Sequence, residues 1–167
     1  MKIAHPSTGF RRATAVLSAA VVAALAAGQV GAAKPITACS LLRLSDVKAA
    51  LGSPAALNRG GSTSECVVRG GDHLPVILLV KSSGIAGYKG LLRAAGPPLK
   101  ALRGVGTQAV TYDHAFEDPQ GVARGVIVRK GNVVVQLTTN DVGPNPPGLA
   151  TVQQLVKLVR AAVTRLP

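Results

Sequence analysis

Hydrophobic residues recur along this chain with three different periods. The first is continuous: "AVLSAAVVAALAAG", from Ala15 to Gly28, carries no charge. The second steps by three and four. It places Leu44, Val47, Ala50 and Leu51 of "SLLRLSDVKAALG" on one face. In "LATVQQLVKLVRAAVTRL" it makes a stripe of Val152, Leu155, Val156, Val159, Ala162, Val163 and Leu166. Both patterns predict amphipathic helices that dock on a core. Ser45 is the expected cap of the first, with Asp46 in the first turn and Gly52 as a left-handed stop. On the second, Lys157, Arg160 and Arg165 lie off the stripe, and the last two suit the negative end of the helix dipole. The third pattern is short and rich in β-branched residues. "SECVVRG" (64–70), "LPVILLVKS" (74–82), "GTQAVTYD" (106–113), "GVARGVIVRK" (121–130) and "NVVVQLTTN" (132–140) are predicted strands.

The connections complete the plan. "GDH" (71–73) is a tight hairpin loop, and Pro75 fits the first position of a strand or a sheet edge, where no ladder N–H is needed. "SPAALNRGGSTS" (53–64) reads as a turn-rich connection. "GIAGYKGLLRAAGPP" predicts a helix weakened by Gly87 and Gly90 and ended by Gly96-Pro97-Pro98. Gly131-Asn132 makes a turn, and "DVGPNPPG" (141–148) is a rigid loop with three prolines. Helix, hairpin, helix, strands and a last helix imply an α+β domain, an antiparallel sheet packed with helices. No internal repeat is present, and the alternating order of a nucleotide-binding parallel sheet is missing.

The continuous apolar run has its own meaning. Lys2, Arg11 and Arg12 precede it, and "QVGAAK" follows with small residues suited to a signal peptidase after Ala33 or Ala32. About 14 apolar residues fall short of the roughly 18–20 that span a bilayer, so residues 1–33 read as a removed signal peptide, with an uncleaved anchor as the alternative. Residues 34–167 then form a single domain, long enough to hold a core. The mature chain keeps 16 basic residues against 7 acidic ones, a net charge of +9.

Those cations are scattered singly or in pairs, and the mature aromatics are Tyr88, Tyr112 and Phe116, with no tryptophan. Single-stranded nucleic acids need stacking platforms, so nucleic acid is not the expected partner. An anionic envelope polymer, lipid head groups or another envelope protein suits the charge better, through long-range Coulomb attraction. Solubility alone is the plainer explanation of the same charge.

Cys39 lies in "ITAC", which matches the small residues that precede a lipidated cysteine. Lys34 and Pro35 interrupt the apolar run before it, and a lysine at membrane depth is costly. Lipidation would also leave Cys66 as an odd thiol in an oxidising compartment. Pairing Cys39 with Cys66 uses both cysteines and closes a loop worth about 3–4 kcal/mol in the chain-entropy model. Export to the periplasm or beyond is therefore the expected location, with lipoprotein anchoring at Cys39 as the lesser reading.

Catalytic signatures are faint. "YDHAFED" gathers Asp113, His114 and Glu117, which on a helix would share a face as metal ligands. The segment reads more readily as a strand end and an acidic turn before Pro119. Asp72-His73 with Ser82 or Ser83 could sketch a nucleophilic triad, but neither serine sits in a Gly-x-Ser-x-Gly elbow. "GVG" (104–106) lacks the third glycine of a phosphate loop and reads as a turn. The scattered acidic residues nominate no carboxylate pair. No catalytic residue and no cofactor are expected.

"ACSLLRLSDVKAALG", "SECVVRG", "LRGVGTQAV", "VIVRKGNVVVQL" and the closing amphipathic helix together carry a resemblance. The chain resembles small exported bacterial proteins with a Cys-x-Leu-Leu-Thr opening and a domain of unknown function, many of them actinobacterial lipoproteins. Arg43 stands where those proteins commonly have a small residue, and Thr107 where an acidic residue often follows "GVG". The resemblance implies a Cys39–Cys66 disulfide and a Mog1/PsbP-like α+β fold, and it brings no catalytic residues. The expected function is that of an exported, non-enzymatic binding or accessory module. The alternative is a small envelope metal-binding protein or hydrolase built on Asp113, His114 and Glu117.

Overall fold

The computed structural model describes residues 36–117, 120–142 and 148–167. The expected signal peptide, the turn at Asp118-Pro119 and most of the proline-rich loop lie outside the described residues. A short 3-10 turn (Ala38–Leu41) leads into α1 (Leu44–Leu51), β1 (Ala55–Arg59), β2 (Glu65–Gly70) and β3 (Val76–Lys81). After these come α2 (Gly84–Ala95), β4 (Leu99–Ala101), β5 (Gln108–Glu117), β6 (Gln120–Lys130), β7 (Val133–Val142) and α3 (Val152–Thr164). The strands make one seven-stranded sheet in the order β1-β2-β3-β7-β6-β5-β4, and every neighbouring pair is antiparallel. The α+β class expected from the sequence is the observed one.

Alternation along the strands sorts the side chains onto two faces. Val68, Val76, Leu78, Val126, Val128, Val135 and Leu137 point to the face covered by α1 and α3, and they make the main core with Leu155, Leu158 and Val159. On the opposite face α2 packs Tyr88 and Ala95 against Tyr112, Ile127 and Val134. Tyr112 crosses the sheet here. Its ring lies over Gly125 of β6, where a Cβ would fall 2.2 Å from the ring, and its hydroxyl donates to Thr138 Oγ1 of β7 at 2.9 Å. Only a glycine leaves room for that path.

Four local expectations change. The stretch read as a turn-rich connection contains β1, because Ala55 and Leu57 pack on the core once β2 offers a partner. β4 was not foreseen; it is three residues long and pairs only with β5. β5 continues through Tyr112–Glu117, where a strand end and turn were expected, since the ladder with β6 extends to Glu117↔Gln120. Helix α1 is capped at Arg43 rather than Ser45, with the Arg43 N–H donating to Asp46 Oδ2 at 2.7 Å. Leu44 consequently leaves the buried stripe and is 54 % exposed. On α3 the buried stripe gains Leu158, while Val152 and Val156 are half-buried.

Cys39 and Cys66 form a disulfide with an S–S distance of 2.00 Å, joining the N-terminal turn to β2. The other end of the chain is tied to the same region. Arg165, just past α3, donates to the Leu41 carbonyl at 3.0 Å and pairs with Asp46 at 2.9 Å. Burial works to raise the Asp46 pKa, but the Arg43 N–H and the Arg165 guanidinium outweigh it and hold the carboxyl below its ordinary value of 3.8. Among the described residues, no helix is long and apolar enough to cross a membrane.

Candidate functional site

The β5–β6 register decides which polar side chains meet. Asp113 stands opposite Arg124, and the adjacent His114 stands opposite Ala123. Asp113 and Arg124 emerge on the α1/α3 face, and Arg124 Nε donates to Asp113 Oδ1 at 2.9 Å. Thr111 shares that face with them, and Lys100 lies opposite Thr111 on the edge strand β4. These groups form one wall of a cleft of about 440 Å³; the first turn of α3, Thr151, Val152 and Gln153, forms the other, and Pro98 closes one end. Such a volume accommodates a small ligand or one unit of a polymer.

The α3 wall is held in place by a relay of polar groups. Thr151 and Gln154 cap each other: Gln154 N–H donates to Thr151 Oγ1 at 3.3 Å, and Thr151 N–H donates to Gln154 Oε1 at 2.7 Å. With Oε1 engaged as an acceptor, Gln154 turns its Nε2 toward His73 Nε2, 2.9 Å away. The amide must donate there, so His73 carries its proton on Nδ1 and directs it at the Gly148 carbonyl, 3.3 Å away. Leu74 N–H donates to that carbonyl as well, at 2.6 Å. His73 is thus a strut between the β2–β3 loop and the N-terminus of α3. Ser82 and Ser83 follow the far end of β3, roughly 20 Å away for a six-residue strand. The three residues do not come together as a triad.

The metal-ligand trio does not converge either. Strand alternation sends Asp113 and His114 to opposite faces, and Glu117 sits at the end of β5, four residues beyond Asp113. His114 faces the α2 side, where its ring lies 5.9 Å from that of Tyr112 and its Nδ1 is buried without a hydrogen-bond partner among the described residues. No group of three His, Cys, Asp or Glu side chains among the described residues could hold a metal ion. The Gly104–Gly106 stretch is a turn into β5 with both glycines at positive φ, as expected, and lies outside the cleft lining.

The cleft is electropositive. Lys100 is exposed, and Arg124 uses its Nε on Asp113 while its Nη groups have no partner among the described residues. The N–H groups of Val152 and Gln153 are likewise unpartnered among the described residues, at the positive end of a 13-residue helix. Among the described residues, the lining contains one carboxylate, already ion-paired, and no histidine, cysteine or serine. It is equipped to hold an anion. Of these residues, the sequence reading singled out Asp113 alone. Arg124 was legible in principle: a hairpin that pairs position 117 with 120 places position 113 opposite 124. Lys100 and Gln153 could be found only with β4 and the cap of α3 in place. The chain matches no protein-family model, no curated protein and no solved structure.

Proposed function

We propose that this chain is an exported, non-enzymatic binding module of the cell envelope, of the Mog1/PsbP-like type its sequence resembles, and that the cleft between α3 and the β4–β5–β6 corner takes an anionic group of an envelope polymer. The observation that carries the reading is the cleft itself, where Lys100, Arg124 and two amides unpartnered among the described residues converge on about 440 Å³ and the one described carboxylate is already neutralised. The disulfide supports export, because thiols pair and stay paired in oxidising compartments. A mature charge of +9 supports an anionic target through its long-range field.

The test is a titration of the purified, disulfide-bonded protein with two probes, an oligo-uronate for carboxylates and an oligo(glycerol phosphate) for phosphodiesters. Saturable binding that shifts the Thr111 and Gln153 amide resonances is expected, weakened at least tenfold in Arg124→Gln and in Lys100→Gln. Binding that ignores both substitutions, or a response to neither probe, refutes the proposal.

A further inference from the structure

The α2 face of the sheet is only half covered. Helix α2 lies over β6 and β7, and its apolar contacts are Tyr112, Val110, Ile127, Val134 and Ala123. Over β1, β2 and β3 no described element occupies that face. The burial pattern records the asymmetry: on β3, Val76, Leu78 and Val80 are buried, whereas Ile77, Leu79 and Lys81 between them are not. On β2, Cys66 and Val68 are buried while Val67 is half-buried and Arg69 exposed. Val67, Ile77 and Leu79 adjoin through the register Val67↔Ile77 and Glu65↔Leu79, and none of them belongs to either core cluster.

The register also gives the dimensions of this strip, whose apolar side chains are half-buried. Arg69, the Val67–Ile77 pair, the Glu65–Leu79 pair and Lys81 occupy successive rows on one face, and three steps of two residues span roughly 20 Å. The two cations therefore close the ends of an apolar floor. The whole strip from β1 to β3 spans two inter-strand gaps, about 10 Å, the diameter of one α-helix, with the exposed Asn58 of β1 beside Val67. Glu65 is drawn aside at the β1–β2 turn, where its carboxylate packs over Gly60.

From this geometry we infer that the strip between α2 and the edge strand β1 is a docking slot for one amphipathic helix of another protein, about 13 residues long, apolar on one side and acidic near both ends. A second helix beside α2 would complete the layer that α2 begins. Two features select this occupant. Arg69 and Lys81 complement acidic ends, and a second copy of a chain with charge +9 approaches against its own field. A planar bilayer does not reach the floor, because α2 stands about 10 Å above the sheet beside it. The slot lies on the opposite face from the anion cleft and does not depend on it.

The test is photo-crosslinking in the producing cells, with a benzophenone amino acid installed at Leu79 or, in a second strain, at Val67 of the full chain. Each strain is first checked for an unchanged melting curve. The expected result is an adduct whose crosslinked peptide is an acidic, helically amphipathic segment of another protein, its yield reduced at least tenfold by Arg69→Glu with Lys81→Glu. Adducts confined to lipid or to a second copy, adducts indifferent to the charge reversal, or none from either position overturn the inference.

Discussion

Substituting Gly125 with alanine tests the crossing of the sheet by Tyr112. Gly125 is a strand residue outside the positive-φ glycines, so its backbone accepts alanine. Space is what forbids it: the new methyl would lie 2.2 Å from Tyr112 Cζ and Oη and 2.5 Å from Cε1. Carbon atoms come to rest near 3.5–4 Å, so the ring must retreat by more than about 1 Å. That movement separates the hydroxyl from Thr138, at 2.9 Å, and from the Gln136 amide, at 3.1 Å. Two such bonds are worth roughly 1–3 kcal/mol net, and the overpacking adds about 1–3 more, so Gly125→Ala should cost about 2–6 kcal/mol. Urea unfolding measures it. In a Tyr112→Ala background the clash is gone, and the same substitution should be neutral or stabilising by about 0.4–1 kcal/mol through the unfolded chain. An equal cost in both backgrounds would refute the account of Tyr112 as a cross-strand strut.

Opening the Cys39–Cys66 bridge with Cys39→Ser and Cys66→Ser should lower stability by about 3–4 kcal/mol, read from urea curves of wild type with and without reductant alongside the variant. Asp46 titrates below its ordinary value in the folded chain, so its contribution is present at neutral pH and is lost as the pH falls through that lowered value. Melting temperatures from pH 7 to 2 should show a shallower acid decline in Asp46→Asn than in wild type; parallel curves would remove the Arg43–Arg165 anchor from the account. His73→Leu strips Gln154 of its acceptor and Gly148 of one of its two donors, the Leu74 N–H remaining. Hydrogen exchange at the bonded amides of Thr151, Gln154 and Leu155 should quicken by about tenfold, corresponding to about 1.4 kcal/mol, while the amides of β6 keep their protection.

Periodic signals survived the passage from sequence to structure where burial is one-sided and continuous. The α3 stripe and the β-branched runs of β6 and β7 are of this kind, since nearly every second or fourth residue meets the core. Edge elements were illegible for the same reason. β1 holds Asn58 and Arg59 exposed, and β4 is exposed at all three positions, so neither carries an alternating pattern. Arg43 was passed over as a cap because its side chain has no capping preference; its backbone N–H, reached by Asp46, does part of that work. The disulfide followed from counting alone, whereas the cleft could not. Its residues come from β4, β5, β6 and α3, and they converge because a hairpin register sets Asp113 against Arg124 and a histidine 78 positions before Thr151 steadies the opposing wall.

The strand order also fixes when this sheet can close. β1–β2–β3 and β4–β5–β6–β7 are each runs of sequence neighbours, and the two runs meet along one seam, where Ile77 faces Thr138 and Leu78 faces Leu137. That seam joins residues some sixty positions apart, and its second partner is the last strand to be synthesised. Until β7 is available the first three strands have a raw edge at β3, in the middle of the eventual sheet. A chain so arranged postpones the completion of its sheet until its final strand exists, because the longest-range pairing must first offset the entropy of closing the loop between β3 and β7.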